Sequence, residues 1–232
     1  MDESRTRRAV VGRARLAARL RNLERVTISR GALTFVVAIL MLPALAAAQP
    51  ANKPEARADE PMTAGERVDW IVDGTIGLKS LTVVGPIGTA WQTAWNTPSE
   101  WGQTWSGAGK RYAQRLADVA ISNTIEAGLG ALWGERANYI RSHKQGVKPR
   151  LGYALKTVFL AYRPDGHLAP AWGRYAGNTV NNLIENTWLP PSVTTWQQTT
   201  WRSASGFGTR ALGNVWEEFW PDVSKHLLHR KE

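Results

Sequence analysis

The chain has 232 residues, 12 of them tryptophan and none cysteine, with a formal net charge of +10. That length suits one domain of ordinary size, and the lack of cysteine excludes disulfide staples, thiolate metal sites, a lipoprotein anchor and a cysteine nucleophile. Residues 1–48 carry a net of +6 and residues 49–232 only +4, from 20 Lys and Arg against 16 acids, so the remainder lacks the dense basic stripe of a nucleic-acid binder.

The leader comes first. Nine arginines in residues 1–48 face three acids, and the first 25 residues are long and arginine-rich for a signal peptide. Two readings stay open for them: a start placed upstream of the true one, with translation from about Val26, or a basic amphipathic helix. Arg30 then precedes an apolar run from Ala32 to Leu45 and a small-residue end, Ala46-Ala47-Ala48. Positive flank, short apolar core and A-x-A ending make a secretory signal; the rival is an uncleaved anchor over residues 31–48. Either way the rest is expected outside the cytoplasm, in the periplasm or outer envelope of a bacterium.

Residues 49–62 are proline-rich with little to bury, as a flexible linker is. A Trp-rich helical domain is expected over 63–232. "TAGE" at 63–66 is a capping box that opens a helix through Val68, Ile71 and Val72. "LTVVGPIG" at 81–88 is the one strand-like patch, ended by Gly85-Pro86. "TPSE" at 97–100 has the form of a helix start, with Thr97 as N-cap and Pro98 in the first position. It would divide Trp91/Trp95 from Trp101/Trp105, each pair an i,i+4 couple on one face of its own helix.

The second of those helices is expected to run on past Tyr112, Leu116 and Val119. Beyond Ala120 the apolar residues change sides. Either the helix bends near Ser122–Asn123, or its second half is covered on both sides, leaving Asn123 and Glu126 buried and in need of partners. Residues 147–163 are expected to be helical after Pro149, "RPDGH" at 163–167 a turn, and 170–188 a helix with Trp172, Ala176, Thr179, Val180 and Leu183 on one face. Asn178, Asn181, Asn182 and Glu185 share the opposite face, where solvent is their cheapest surroundings. A long helix from about Ser192 follows, and "WPDV" at 220–223 restarts a short one. Strict alternation is never sustained. The fold class is therefore all-α, a compact bundle of five to seven helices.

Tryptophan is the feature with most to say. Indoles spaced a helical turn apart either pack on one another inside a bundle or sit at a membrane interface, where an apolar body and a wet N–H suit them. Trp91, Trp95, Trp101 and Trp105 are the candidate membrane or partner contacts. Asn123 and Glu126 are a candidate internal polar cluster, and a pocket there would gain weight if Arg136 or a histidine joined them. His226 and His229 with Glu232 have a spacing that can meet a metal, but they lie on a terminal tail. Asp165 and His167 could form an acid–base pair. No nucleophile elbow, phosphate loop or H-E-x-x-H is present, so no catalytic, cofactor or metal residue is assigned and no cofactor is expected.

"EWGQTWSGAGKRYAQRL", "GALWGERANYIRS", "YRPDGHLAPAWGRYAGN" and "NTWLPP" together resemble a group of exported bacterial proteins that has no assigned activity. The likeness covers most of residues 95–222. It implies export and a helical fold and carries over no functional residue. The function expected is non-enzymatic: an envelope protein associating with a membrane surface or an envelope partner protein through Trp-bearing helices. The alternative is a periplasmic enzyme or small-ligand binder with a polar pocket around Asn123 and Glu126.

Overall fold

The computed structural model describes residues 60–228, with side chains as far as Ser224. The leader, most of the linker and the His226/His229/Glu232 set lie outside the described side chains. The described chain is predominantly helical, as expected of an all-α protein. Its elements are α1 (Ala64–Ile76), a π-helical turn (Ser80–Val84), α2 (Gly85–Ala94), a 3-10 turn (Ser99–Trp101), α3 (Trp105–Leu132), α4 (Val147–Phe159), β1 (Leu160–Tyr162), β2 (Leu168–Pro170), α5 (Trp172–Glu185), a second 3-10 turn (Pro191–Val193) and α6 (Trp196–Leu228). They fall into two compact units, one of residues 78–116 and one of residues 60–77 with 117–228.

In the 78–116 unit, two expectations are corrected. The strand-like patch at 81–88 is helical. Pro86 has no N–H to continue an ordinary ladder, and the Gly85 N–H reaches back five residues to the Ser80 carbonyl, so the helix widens for one turn and then goes on as α2. Gly85 is needed there. A Cβ at this position would stand 2.7 Å from the Tyr112 ring, whose hydroxyl donates to the Leu81 carbonyl at 2.9 Å.

The second correction concerns "TPSE". Pro98, not Thr97, takes the cap position of a single 3-10 turn, and α3 begins only at Trp105. The cause is Arg111, which is 0% exposed. Its Nε donates to the Thr97 carbonyl at 2.7 Å, Nη1 to Gly102 at 2.7 Å and Nη2 to Pro98 at 2.8 Å. One guanidinium gathers the carbonyls of the 97–102 loop, so this segment's hydrogen bonding is closed by a side chain and not by a helical ladder. Trp101 and Trp105 consequently do not share one helix.

In the 60–77 and 117–228 unit, the capping box is present as read. The Glu66 N–H donates to Thr63 Oγ1 at 3.2 Å and the Thr63 N–H to Glu66 Oε2 at 2.8 Å. α3 continues through Ser122–Asn123 without a break. α4 stops at Phe159, four residues earlier than expected, because residues 160–162 pair with 168–170 as an antiparallel hairpin. Its turn is the expected one: Gly166 has φ +76°, and the Arg163 N–H donates to the His167 carbonyl at 3.0 Å. Pro221, expected to restart a helix, lies inside α6.

α5 crosses α3 at glycines. A Cβ on Gly173 would stand 2.7 Å from the Gly130 nitrogen, and one on Gly177 2.8 Å from the Ser122 carbonyl. Backbone contact this close brings whatever flanks the glycines on α5 into the middle of the unit, and those neighbours are Arg174 and Asn181.

Candidate functional site

The interior of the unit of residues 60–77 and 117–228 mixes small apolar residues with an unusual number of charged and amide side chains. Among the described side chains no Leu, Phe or Trp is buried; the buried apolar residues of this unit are alanines together with Met62, Ile140, Tyr153, Val158 and Val193. Also buried are Arg67, Glu126, Glu135, Arg136, Arg174, Asn181, Asn182, Glu185, Asn214 and Glu218. Ions removed from water stand only where partners replace the lost hydration, and each buried carboxylate and guanidinium named here has at least one, while Asn181 Oδ1 has none.

Glu126 is clamped from two sides. Arg174 Nε lies 2.9 Å from Oε1, while Arg210 donates to Oε1 at 2.8 Å and Oε2 at 3.2 Å. Arg174 Nη1 goes on to the carbonyls of Thr157 at 2.7 Å and Val158 at 3.0 Å, closing the carbonyl end of α4. Burial pulls the Arg174 guanidinium below its ordinary value, with Arg210 beside it adding to the effect and Glu126 opposing it. Glu135 sits at the N-terminus of α5, beside Arg174: its two oxygens accept the N–H groups of Trp172 at 3.0 Å and Gly173 at 2.8 Å, a carboxylate on a helix N-terminus.

Glu218, fully buried, accepts from Arg150 Nε at 2.6 Å, the Tyr139 hydroxyl at 2.8 Å and the Ser142 N–H at 2.9 Å. Burial alone would raise its carboxyl; these three donors outweigh it and hold the group below the ordinary carboxylate range. Tyr139 moves the opposite way, pushed well up by burial and by its bond to Glu218. The fourth knot joins Asp118, Asn181, Glu185 and Arg202. Asn181 Nδ2 donates to Asp118, and Arg202 Nη1 lies 3.1 Å from Glu185 Oε2. Burial, with the Asp118 charge next to it, pushes the Glu185 carboxyl up to about 8.

This overturns the reading of Asn178, Asn181, Asn182 and Glu185 as a solvated face. The two faces were sorted correctly and assigned to the wrong sides. Asn181, Asn182 and Glu185 are buried, Asn178 is partly so, and Trp172, Val180 and Leu183 are exposed. The same inversion runs along α4: Val147, Leu151, Leu155 and Phe159, one turn apart, all face outward, while Tyr153, Ala154, Thr157 and Val158 are covered. On α1, Val68, Val72 and Ile76 are exposed and Arg67 is buried, its guanidinium on the Ala127 and Glu135 carbonyls at 3.0 and 2.9 Å. α6 exposes Trp196, Trp201, Leu212 and Trp216 while burying Thr199, Asn214 and Glu218.

Aromatic rings join these outer stripes. Trp172 meets Tyr175 at 5.6 Å, Tyr175 meets Phe207 at 6.0 Å, and Phe207 stacks on Phe159 at 5.5 Å, which connects α5, α6 and the end of α4. In the 78–116 unit the expected Trp91/Trp95 couple is present, its ring centroids 5.7 Å apart, with the two residues 66% and 62% exposed. Trp105 is also exposed and Trp101 half-buried. Nine of the twelve tryptophans are exposed, all but Trp70, Trp101 and Trp220.

The other candidates resolve differently. Asn123 is half-buried, its amide where a Cβ on Gly74 would stand. Arg136 does not join Glu126; it donates to Asn138 Oδ1 at 3.3 Å and to the Glu60 carbonyl. A cavity lined by Arg136, Tyr139, Tyr153, Tyr162, Arg174 and Asn214 includes neither Asn123 nor Glu126. Asp165 is not paired with the His167 ring: its Oδ1 accepts the His167 backbone N–H at 3.0 Å, a turn-closing bond. Among the described residues no group of three His, Asp or Glu is placed to hold a metal, and no helix is long and apolar enough to cross a membrane.

Composition gave no hint of Arg111, Glu135, Arg174 or Glu218. The one available signal was spacing. Asn178, Asn181, Asn182 and Glu185 repeat at i, i+3, i+4 and i+7, the period of a packed seam as much as of a wet face. No family model, curated protein or solved structure matches the chain.

Proposed function

We propose that the chain is an exported, non-enzymatic helical protein of the bacterial envelope that rests on a membrane surface through its apolar helix faces. The observation that carries this is the inverted partition: ions and amides inside, tryptophan and aliphatic side chains outside. In water, each fully exposed large apolar side chain forgoes about 1.5–3 kcal/mol of burial, and a contiguous apolar exterior marks an interaction surface. A second copy of the chain covers one face of a helical unit, about 800 Å² a side for a standard interface. Outward stripes on α1, α4, α5 and α6 call for a surrounding medium, and indole favours the lipid interface. No described helix is apolar enough to span, so the contact is interfacial.

Residues 1–48, the expected export signal or anchor, contain no tryptophan, so indole emission reports on the helical part alone. Mixing the purified full chain with phosphatidylcholine vesicles should shift the emission to the blue and allow quenching by brominated acyl chains. Unchanged emission at saturating lipid would overturn the reading.

A further inference from the structure

The exposed face of α4 differs from the other apolar faces in its charge. From Arg141 to Phe159 the chain holds Arg141, Lys144, Lys148, Arg150 and Lys156 and no acid. Arg150 is committed: its Nε lies 2.6 Å from Glu218 and its Nη1 2.6 Å from Asp222, the acids that reach this segment from α6. Arg141, Lys148 and Lys156 are exposed, and no ion pair among the described residues engages them; Lys144, also exposed, has its ammonium 6.0 Å from the Tyr153 ring. Lys148 and Lys156, eight residues apart on α4, lie about 80° apart around its axis, on the same outward side as Leu151, Leu155 and Phe159. Arg141 and Lys144 stand in the segment leading into the helix.

We infer that this face of α4 is the anionic-lipid contact, with Leu151, Leu155 and Phe159 seated at the acyl boundary and Lys148, Lys156 and Arg141 on lipid phosphates. On this helix Lys156 stands at the edge of the apolar stripe and Lys148 at its first turn, an arrangement that suits a helix lying in a bilayer surface, and cations that pair with no acid are complementary to acidic headgroups. Arg150 supports the arrangement: held by Glu218 and Asp222, and with its guanidinium 4.6 Å from the Phe219 ring, it fixes the start of α4 on α6 so that the face is presented by a rigid helix. This inference rests on the membrane-surface reading above and names the lipid and the face.

The chain has no cysteine, so Leu155→Cys gives one site for an environment-sensitive fluorophore, with Asp165→Cys in the hairpin turn as the reference. The labelled full-length proteins are titrated with phosphatidylcholine vesicles and with vesicles containing a third phosphatidylglycerol. The Leu155→Cys probe is expected to move to an apolar environment on phosphatidylglycerol vesicles, with at least tenfold tighter binding than on phosphatidylcholine, while the Asp165→Cys probe stays wet. Lys148→Gln with Lys156→Gln should weaken the phosphatidylglycerol titration by about fivefold per lysine removed, less at high salt, and leave the phosphatidylcholine titration unchanged. Equal response to both vesicles would overturn the anionic contact, and a silent Leu155→Cys probe beside shifted tryptophan emission would overturn the face, either result leaving the membrane reading in place. Silence of probe and tryptophans alike would remove both. A probe shift that grows with protein concentration and needs no lipid would assign the face to a second copy and overturn the inference.

Discussion

α2 and α5 are both short helices that turn tryptophan to the outside, yet what they bury is opposite in kind. α2 buries Gly85, Thr89, Ala90 and Thr93, small groups that admit a neighbour to its backbone, and Gln103 donates to its last carbonyls, Thr93 and Ala94, at 3.0 Å each. α5 buries Arg174, Asn181, Asn182 and Glu185 around two glycines. A seam of small residues fixes distance but is indifferent to rotation about the helix axis. A seam of ions is not, because Arg174 fits only where Glu126 and the end of α4 are both in reach. A helix with an apolar outer face thus has a directional inner one, and buried charge geometry adds to the apolar packing in fixing where α5 sits.

The most damaging test of that contrast is Arg174→Met. It conserves length, removes both the bond to Glu126 and those to the Thr157 and Val158 carbonyls, and leaves a buried carboxylate with Arg210 alone. About 3–5 kcal/mol of stability should be lost in urea unfolding followed by circular dichroism. A loss under 1 kcal/mol would mean that ordinary packing holds α5. Arg111→Met tests the other unit, where the same residue type closes a loop. Thr97, Pro98 and Gly102 would keep their carbonyls but lose the donor. The loop lies nearer to solvent than the Arg174 site, so a loss of about 2 kcal/mol is expected, with earlier amide exchange confined to residues near 96–104.

Gly177→Ala asks whether the α3–α5 crossing is as tight as its geometry. The added methyl would meet the Ser122 carbonyl at 2.8 Å, so a loss of about 1–3 kcal/mol is expected, against almost none for Gly208→Ala on α6, where a Cβ meets nothing within 4 Å. Glu185 gives a milder test through pH. Its carboxyl titrates near 8 in the folded protein against an ordinary 4.5, so the folded state keeps a proton that the unfolded chain gives up. Stability from this group is complete below 4.5 and is lost as pH rises toward about 8. The melting temperature should fall across that window, and Glu185→Gln should flatten the fall. A wild-type protein equally stable at both ends would show that Arg202 keeps the group ionised.

Much of this was legible in the residues. The capping box at Thr63/Glu66, the turn at Gly166 and the two faces of α5 all follow from local chemistry or from a 3.6-residue period. Which face of α5 points inward was not legible, because a period has no sign: Asn178 and Glu185 recur as regularly as Trp172 and Val180, and the partners that take Asn181 and Glu185 inside, Asp118 and Arg202, lie far away in sequence. The 97–102 loop was hidden for another reason. Its local signals favour a helix, and the group that cancels them, Arg111, stands nine to fourteen residues beyond the carbonyls it gathers, groups that every sequence has.

The smallest expected change in stability is also the sharpest statement about the exterior. Trp91→Ser with Trp95→Ser removes two exposed indoles whose ring centroids lie 5.7 Å apart. If these rings belonged to a core, the double variant would lose several kcal/mol, as large-to-small core substitutions do. If they face a membrane, the cost in water should stay within about 1 kcal/mol, near the worth of one aromatic pair, and the loss should appear in vesicle affinity instead. The two quantities separate cleanly, since one is measured without lipid and the other is a ratio of binding constants. A variant with unchanged melting and weaker binding would place the helical seam of Trp91 and Trp95 on the lipid side of the protein, and one with intact binding would confine the contact to the other unit.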